Sequence, residues 1–262
     1  VAQLSAKELR HWRDGLLDKG LAPGSVVRYC KSLAAALSLA AAHDPRIQNR
    51  DAWRVGLAAL PDSSKPRNVI LPDPTVRKIV ATAYTVSRAL GEYLELGAVT
   101  GARPVQLRRL TIADVQRNRL MLPSSLKGKG KRRIERRPVP IPEALALRLK
   151  QASKRLSPEA PLLLKENGEP WSQSNHRDPV REVMKRVGLD PDRVTFYALR
   201  HSAAVRMILA GIPLRVVADQ LDTSTSQLER TYSKYIADHS DQMVRGALLD
   251  VTPIDDTVVA LR

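Results

Sequence analysis

Residues 197–201 read Tyr197-Ala-Leu-Arg200-His201, a short run in which a guanidinium, an imidazole and a phenol sit within one helical turn of each other. Downstream comes Leu221-Asp-Thr223, with Tyr232 nine residues beyond Thr223. Upstream, Lys127–Arg137 gathers seven basic residues around one acid, Glu135. Before that lies Thr100-Gly-Ala-Arg103, with Leu107 and Leu110 behind it. The chain that carries these four stretches has 262 residues, 43 Lys and Arg against 27 Asp and Glu, and a net charge of +16. At roughly 100–200 residues per domain, one or two domains and a sizeable core are expected.

The composition excludes several classes. A chain that is 43% hydrophobic and 27% charged is not wholly disordered. With 4% aromatics, its core must be mostly Leu, Val and Ala. A lone cysteine, Cys30, rules out a disulfide framework and cysteine-built zinc sites. His11, His43, His176 and His239 fit no metal-ligand spacing, so no metal and no cofactor are expected. No apolar run reaches the ~18 residues of a spanning helix and no signal peptide opens the chain. The expectation is a soluble, cytoplasmic protein, associated with the nucleoid if bacterial. Because the chain opens on Val1 rather than Met, an upstream segment is expected to be missing. A charge of +16 predicts a polyanionic partner, nucleic acid first. The excess is uneven, since residues 238–262 hold five acids and two bases.

Punctuation divides the chain. Ser5-Ala-Lys-Glu8 is a capping box, followed by Leu9, Trp12 and Leu16 on one helical face. After Gly20 and Gly24, Ser25 is placed to cap a second helix that buries Val26, Cys30, Leu33 and Leu37. A shorter helix through Trp53 and Leu57 completes a small bundle. Pro61, Pro66, Pro72 and Pro74 mark a linker, and Asp73 and Pro74 read as the cap and first position of the next helix. Helices are expected around Leu90–Leu96 and Pro104–Leu110, with extended segments at Arg119–Leu122 and Ile134–Ile141. The prolines at 138 and 140 suggest an edge strand. From Pro142 onward the chain reads as helical, with Ser224 as a cap.

The four stretches, in this order and spacing, resemble the tyrosine recombinases, the phage-integrase family of site-specific recombinases. The family pattern is T-G-x-R, a lysine in a β-hairpin, H-x-L-R-H, then L-G-H-S before the nucleophilic tyrosine. The resemblance covers nearly the whole chain. It implies a mainly α fold with a small antiparallel β-sheet. A helical core-binding domain (1–65), a linker (66–73) and an α+β catalytic domain (74–262) would form a C-shaped DNA clamp. The tail from about residue 238 would dock on a neighbouring protomer through Val251, Ile254, Val258, Val259 and Leu261. The implied partners are double-stranded DNA attachment sites, a homotetramer on paired sites, and accessory DNA-bending or directionality factors of a mobile genetic element; no membrane is implied.

Carried over residue by residue, Arg103 and Arg200 become the arginines that hold the scissile phosphate. Strand exchange passes through a phosphorane with added charge on its non-bridging oxygens, which a fixed, permanently charged guanidinium fork suits. Arg103, just before Pro104, would also gain from a helix dipole. Tyr232 becomes the nucleophile that conserves the bond energy in a 3′-phosphotyrosine, with Tyr235 as competitor. Lys127 is the general acid of the hairpin, with Lys129 and Lys131 also qualified by type. Lys129, Lys131, Arg132 and Arg133 are expected to contact the DNA backbone. The chain departs from the pattern at Tyr197 and Thr223, where the family has histidines, and at Gln106, where an acid is common. Tyr197 and Thr223 keep one donor each but are not bases near neutral pH. His201, next to Arg200, is read as bracing its helix. The departures leave open a catalytically weak or inactive DNA-binding relative.

Overall fold

The computed structural model describes residues 1–61, 63, 68–125 and 133–249. The chain divides into two compact units, Val1–Arg67 and Asn68–Arg262. The first holds α1 (Ala6–Asp18), α2 (Pro23–His43) and α3 (Arg50–Gly56). Ser5 and Glu8 close both halves of the capping box on α1, satisfying donors the helix cannot satisfy itself. The start of α2 differs from expectation. Pro23, with its φ already helical and no N–H to lose, takes the first position, and Ser25 falls inside the helix. Leu9, Val26, Cys30, Leu37, Trp53 and Leu57 form the buried cluster of this unit, while Trp12 is exposed.

The second unit follows as α4 (Asp73–Val86), α5 (Arg88–Thr100), the one-turn α6 (Pro104–Leu107) and a 3-10 turn (Ile112–Asp114). Next come β1 (Arg119–Pro123), β2 (Arg136–Pro140), α7 (Glu143–Ala152) and α8 (Arg177–Val187). The described chain ends with α9 (Tyr197–Leu209), α10 (Leu214–Gln220) and α11 (Thr225–Gly246). β1 and β2 pair antiparallel, Arg119 opposite Pro140 and Pro123 opposite Arg136. Both strands of this sheet are edges, which is why β2 tolerates two prolines.

Several boundaries shift for physical reasons. Residues 68–71, expected in the linker, pack on the second unit: Leu71 is buried, its N–H donates to Ser202 Oγ (2.8 Å), and Asn68 Nδ2 donates to Thr231 O (3.3 Å). Pro72, not Asp73, precedes α4, and the Asp73 carboxylate instead meets Arg206. α11 runs on to Gly246, so residues 238–246 are helix rather than tail, and the anchors expected at 251–261 lie outside the described residues.

The main core of leucines, valines and alanines gathers α4, α5, β1, β2, α7 and α8 around the start of α9. A second cluster, including Val205, Val217, Leu221, Leu228 and Tyr232, joins α9, α10 and α11. Among the described residues no helix is long and apolar enough to cross a membrane.

Candidate active site

Gly101 is where the site begins. It ends α5 at φ 64, a left-handed conformation that L side chains rarely adopt, and a Cβ there would lie 2.5 Å from Leu221 Cδ2. Thr100 stabilises the turn by accepting the Ala102 N–H on its hydroxyl (3.1 Å). The turn delivers Arg103 to a cleft, and the carbonyl of Gly101 accepts a hydrogen bond from Arg200 Nη1 (2.8 Å). Arg200 Nη2 donates to Leu221 O (2.5 Å). Arg103 Nη1 donates to Asp222 O (2.8 Å) and, at 3.3 Å, to Leu221 O and Ser125 Oγ. Main-chain carbonyls thus hold both guanidiniums, and Leu221 O serves both.

The one-turn α6 is shorter than the sequence suggests and adds little dipole at Arg103. The locking is done by Gln106. Its Oε1 accepts the Arg103 N–H (3.0 Å) and its Nε2 donates to Pro123 O (2.9 Å), a second bond that an ionised carboxylate could not make.

Tyr232 enters from α11, which kinks at that residue (φ −125, ψ 19). Its ring is buried among the aliphatic side chains of the second cluster, and its hydroxyl lies 2.7 Å from His201 Nδ1. Burial pushes the phenol up to about 12, against the opposing pull of Arg200 and Arg103. Burial, together with Arg103, pushes the Arg200 guanidinium down to about 10. Burial also lowers Arg103. At neutral pH both arginines remain cations, buried themselves on the wall of an open cleft of about 960 Å³, where they attract an anion.

Tyr197, Thr223, Arg103, Arg133, Arg200 and Tyr232 all line this cleft, so of the site residues expected from sequence six come together. Tyr197 is exposed there. Lys127, Lys129, Lys131 and Arg132 lie outside the described residues. Tyr235 is half-buried in the same cluster as Tyr232 and does not line the cleft. His201 does not merely brace its helix: it touches the Tyr232 hydroxyl, which brings it into the site.

Sequence reasoning missed Asp222 and Arg137. Asp222 stands where the family pattern has glycine and keeps a glycine-like φ of 51. Its Oδ2 accepts the Ser125 N–H (2.7 Å) and lies 3.5 Å from Arg103 Nη1, and its Oδ1 lies 3.0 Å from Arg137 Nη2. Burial pushes this carboxyl up, but the Ser125 bonds and the two guanidiniums outweigh it and hold it below the usual carboxylate range. The Arg137 contact is an ion pair rather than an aligned hydrogen bond, because its Nε and Nη2 donors have no hydrogen-bond partner among the described residues. The signal for Asp222 was present as the second residue of Leu221-Asp-Thr223; Arg137 was hidden among seven basic residues. No cluster of His, Cys, Asp and Glu among the described residues could hold a metal ion.

Two backbone-held arginines and a buried tyrosine thus share one polar cleft, and the sequence places the chain in a family. Residues 71–240 match the phage integrase family, and the chain belongs to it. It is 28% identical over 151 residues to tyrosine recombinase XerA of Pyrococcus furiosus, covering 57% of this chain and 51% of that protein. It is 30% identical over 198 residues to tyrosine recombinase XerD of Corynebacterium glutamicum, covering 72% and 62%. The chain therefore spans between half and two-thirds of these relatives' length. In fold it is similar to the Tn1549 transposon integrase in complex with a circular intermediate DNA (TM-score 0.75, 18% identity, 95% of this chain and 87% of that one). It is likewise similar to a lambda integrase dimer bound to a COC′ core site (TM-score 0.69, 22% identity, 97% and 69%).

Proposed function

We propose that this protein is a site-specific DNA recombinase that cuts and rejoins DNA through a 3′-phosphotyrosine intermediate. The observation that carries this reading is the convergence of Arg103, Arg200 and Tyr232 on one cleft from three distant parts of the sequence. Tyr232 Oη attacks the scissile phosphorus, the P–O5′ bond breaks, and the departing 5′-oxygen takes a proton from the hairpin, with Lys127 as the assigned donor. Arg103 and Arg200 hold the non-bridging oxygens as their charge grows. Their backbone anchors fix the forks before substrate arrives, so little reorganisation is left for the reaction itself. Because the phosphotyrosine stores the bond energy, religation needs no cofactor.

Lys129, Lys131, Arg132 and Arg133 are assigned to the DNA backbone, residues 1–65 to a core-binding domain and 74–262 to the catalytic domain, both acting on duplex attachment sites. The lambda integrase tetramer bound to a Holliday junction, similar in fold, supports assembly of this chain as a homotetramer on paired sites. Met243, Val244, Leu248 and Leu249, exposed beside the last turn of α11, support docking of the C-terminal segment on a neighbouring protomer.

The test is a duplex nicked near the cleavage position, so that the released strand diffuses away, run on denaturing gels. Wild type is expected to form a covalent adduct that Tyr232→Phe loses while still binding the duplex. A second reading, a DNA-binding relative without strand transfer, is favoured by one feature: Tyr197 and Thr223 replace two of the three histidines of the family pattern. Salt-steep binding with no adduct in either protein on a verified site would establish it.

A further inference from the structure

We propose that His201 is a catalytic residue, the general base that accepts the proton of Tyr232 Oη as the phenol attacks phosphorus. This rests on the recombinase reading above and adds to it a proton path through His201, the one histidine of the family pattern that this chain keeps. Three observations carry it. The first is contact: His201 Nδ1 lies 2.7 Å from Tyr232 Oη, within the reach required of a base. The second is direction. With the ring proton on Nε2, the tautomer assigned to the imidazole in this proposal, the hydroxyl donates and Nδ1 accepts.

The third is elimination. The charged and titratable groups around His201 are Arg200 and Tyr197 on its own helix, Tyr232 on α11, Arg103 beside α6, Asp222 before α11, and Arg133 and Glu135 on the hairpin side of the cleft. The arginines are cations. Tyr197 and Thr223, in two of the family's three histidine positions, are a phenol and an alcohol. The Asp222 carboxylate is committed to Ser125, Arg137 and Arg103. Glu135 is exposed on the hairpin, whereas the imidazole bonds to the Tyr232 hydroxyl directly. Burial and the adjacent Arg200 lower the imidazole below its ordinary value, which keeps it neutral and able to accept at pH 7.

The protons balance over a full cycle. In cleavage the Oη–H proton moves to Nδ1, Oη bonds to phosphorus, the P–O5′ bond breaks, and the 5′-oxygen takes the proton of the hairpin acid. Religation reverses each transfer, and the imidazolium returns its proton to the leaving phenol. Transfer from a phenol to so weak a base is uphill in the resting site, so it must accompany Oη–P bond formation, which makes the phenolic proton acidic. The growing negative charge of the phosphorane offsets the imidazolium beside Arg200.

The experiment measures single-turnover adduct formation against pH on the nicked duplex for wild type and His201→Asn. It uses both an ordinary scissile phosphate and one with a 5′-bridging sulfur, whose thiolate leaves without protonation. Asn places an amide oxygen near the Nδ1 position, so it can still hold the hydroxyl but cannot take its proton. Wild type is expected to lose rate as pH falls through the His201 value, below about 6.5. His201→Asn is expected to bind the duplex as wild type does, to react about 10²-fold more slowly or worse, to lose that acid limb, and not to be rescued by the sulfur substrate. Wild-type-like rates in His201→Asn, or rescue by the sulfur substrate, would overturn the assignment. If His201→Asn does not fold, a wild-type rate that stays flat over the whole acid range in which the duplex is bound overturns it as well. Should wild type form no adduct at all on a verified site, the recombinase reading itself fails, an outcome distinct from these.

Discussion

The two halves of the cleft are held in different ways. Arg103 and Arg200 are anchored on the carbonyls of Gly101, Leu221 and Asp222, atoms that every sequence possesses. Tyr232 is held by the packing of its ring and by one side-chain contact, to His201, on a helix that kinks at that residue. In the proposed mechanism, the charge-stabilising half therefore depends on backbone path, and the nucleophile half on side-chain identity. This explains how a chain can exchange two expected histidines without disturbing the arginine pair. Side chains can be traded around a cradle that the backbone builds; the turn that shapes the backbone cannot.

The comparison is broken most severely at Arg200. In Arg200→Lys the charge survives but the fork is lost, so this side chain can no longer hold both Gly101 O and Leu221 O. We expect adduct formation to fall about 10²–10³-fold. The melting transition should also report a destabilisation of about 1–3 kcal/mol from the weakened anchoring of Gly101 O, since Leu221 O still accepts from Arg103. Near-normal rates in this variant would mean that position, not fork geometry, is what the cradle supplies.

Gly101→Ala attacks the cradle through the backbone alone. The left-handed φ costs about 1–2 kcal/mol for an L-residue. Crowding of Leu221 adds about 1–3 kcal/mol more, read by denaturant unfolding. Because Gly101 O carries Arg200, activity should fall with stability even though no reacting side chain has changed.

Asp222→Asn is milder, since Asn tolerates a positive φ and can still accept the Ser125 N–H. The lost ion pairs with Arg103 and Arg137 should cost about 1 kcal/mol or less, because the site is partly solvated. The pH dependence has a definite sign. The folded carboxyl titrates below its unfolded value of about 3.9, so its stabilisation is complete above that value and is lost as pH falls through the lower, folded one. Unfolding measured toward acid should therefore show a smaller loss of stability in Asp222→Asn than in wild type; equal slopes would remove Asp222 from the account.

The smallest effect is expected from restoring a family residue. Tyr197→His adds an imidazole to a cleft where His201 already contacts the nucleophile, so the single-turnover rate should change by less than about tenfold. A gain of about 10² or more would show that the nucleophile half lacks a base and that His201 does not supply one.

Much of this was readable before any coordinates. The capping box at Ser5 and the paired strands around 119–123 and 136–140 follow from local chemistry and spacing, and the family resemblance picked out Arg103, Arg200 and Tyr232, which line one cleft. What was not readable came from contacts between distant segments. His201 looked like a helix brace because nothing near it in sequence shows that residue 232 returns to it. Gln106 looked like a lost acid until its second bond, to Pro123, appeared. Ser25 looked like a cap because a cap needs only the right side chain, whereas Pro23 two residues earlier was already able to begin the helix.

The sequence by itself determined which residue types are available to handle a phosphodiester, the turn that Gly101 makes possible, and the mainly helical class of the chain. Those depend on interactions over a few residues, where side-chain chemistry and allowed φ and ψ suffice. Only the tertiary structure decided that Leu221 O joins two arginines, that Asp222 ties the hairpin base to Arg103, and that His201 meets Tyr232. Those contacts close between segments from about 20 to 120 residues apart, and their geometry is fixed by how the cores of α5, α9 and α11 pack rather than by any local preference.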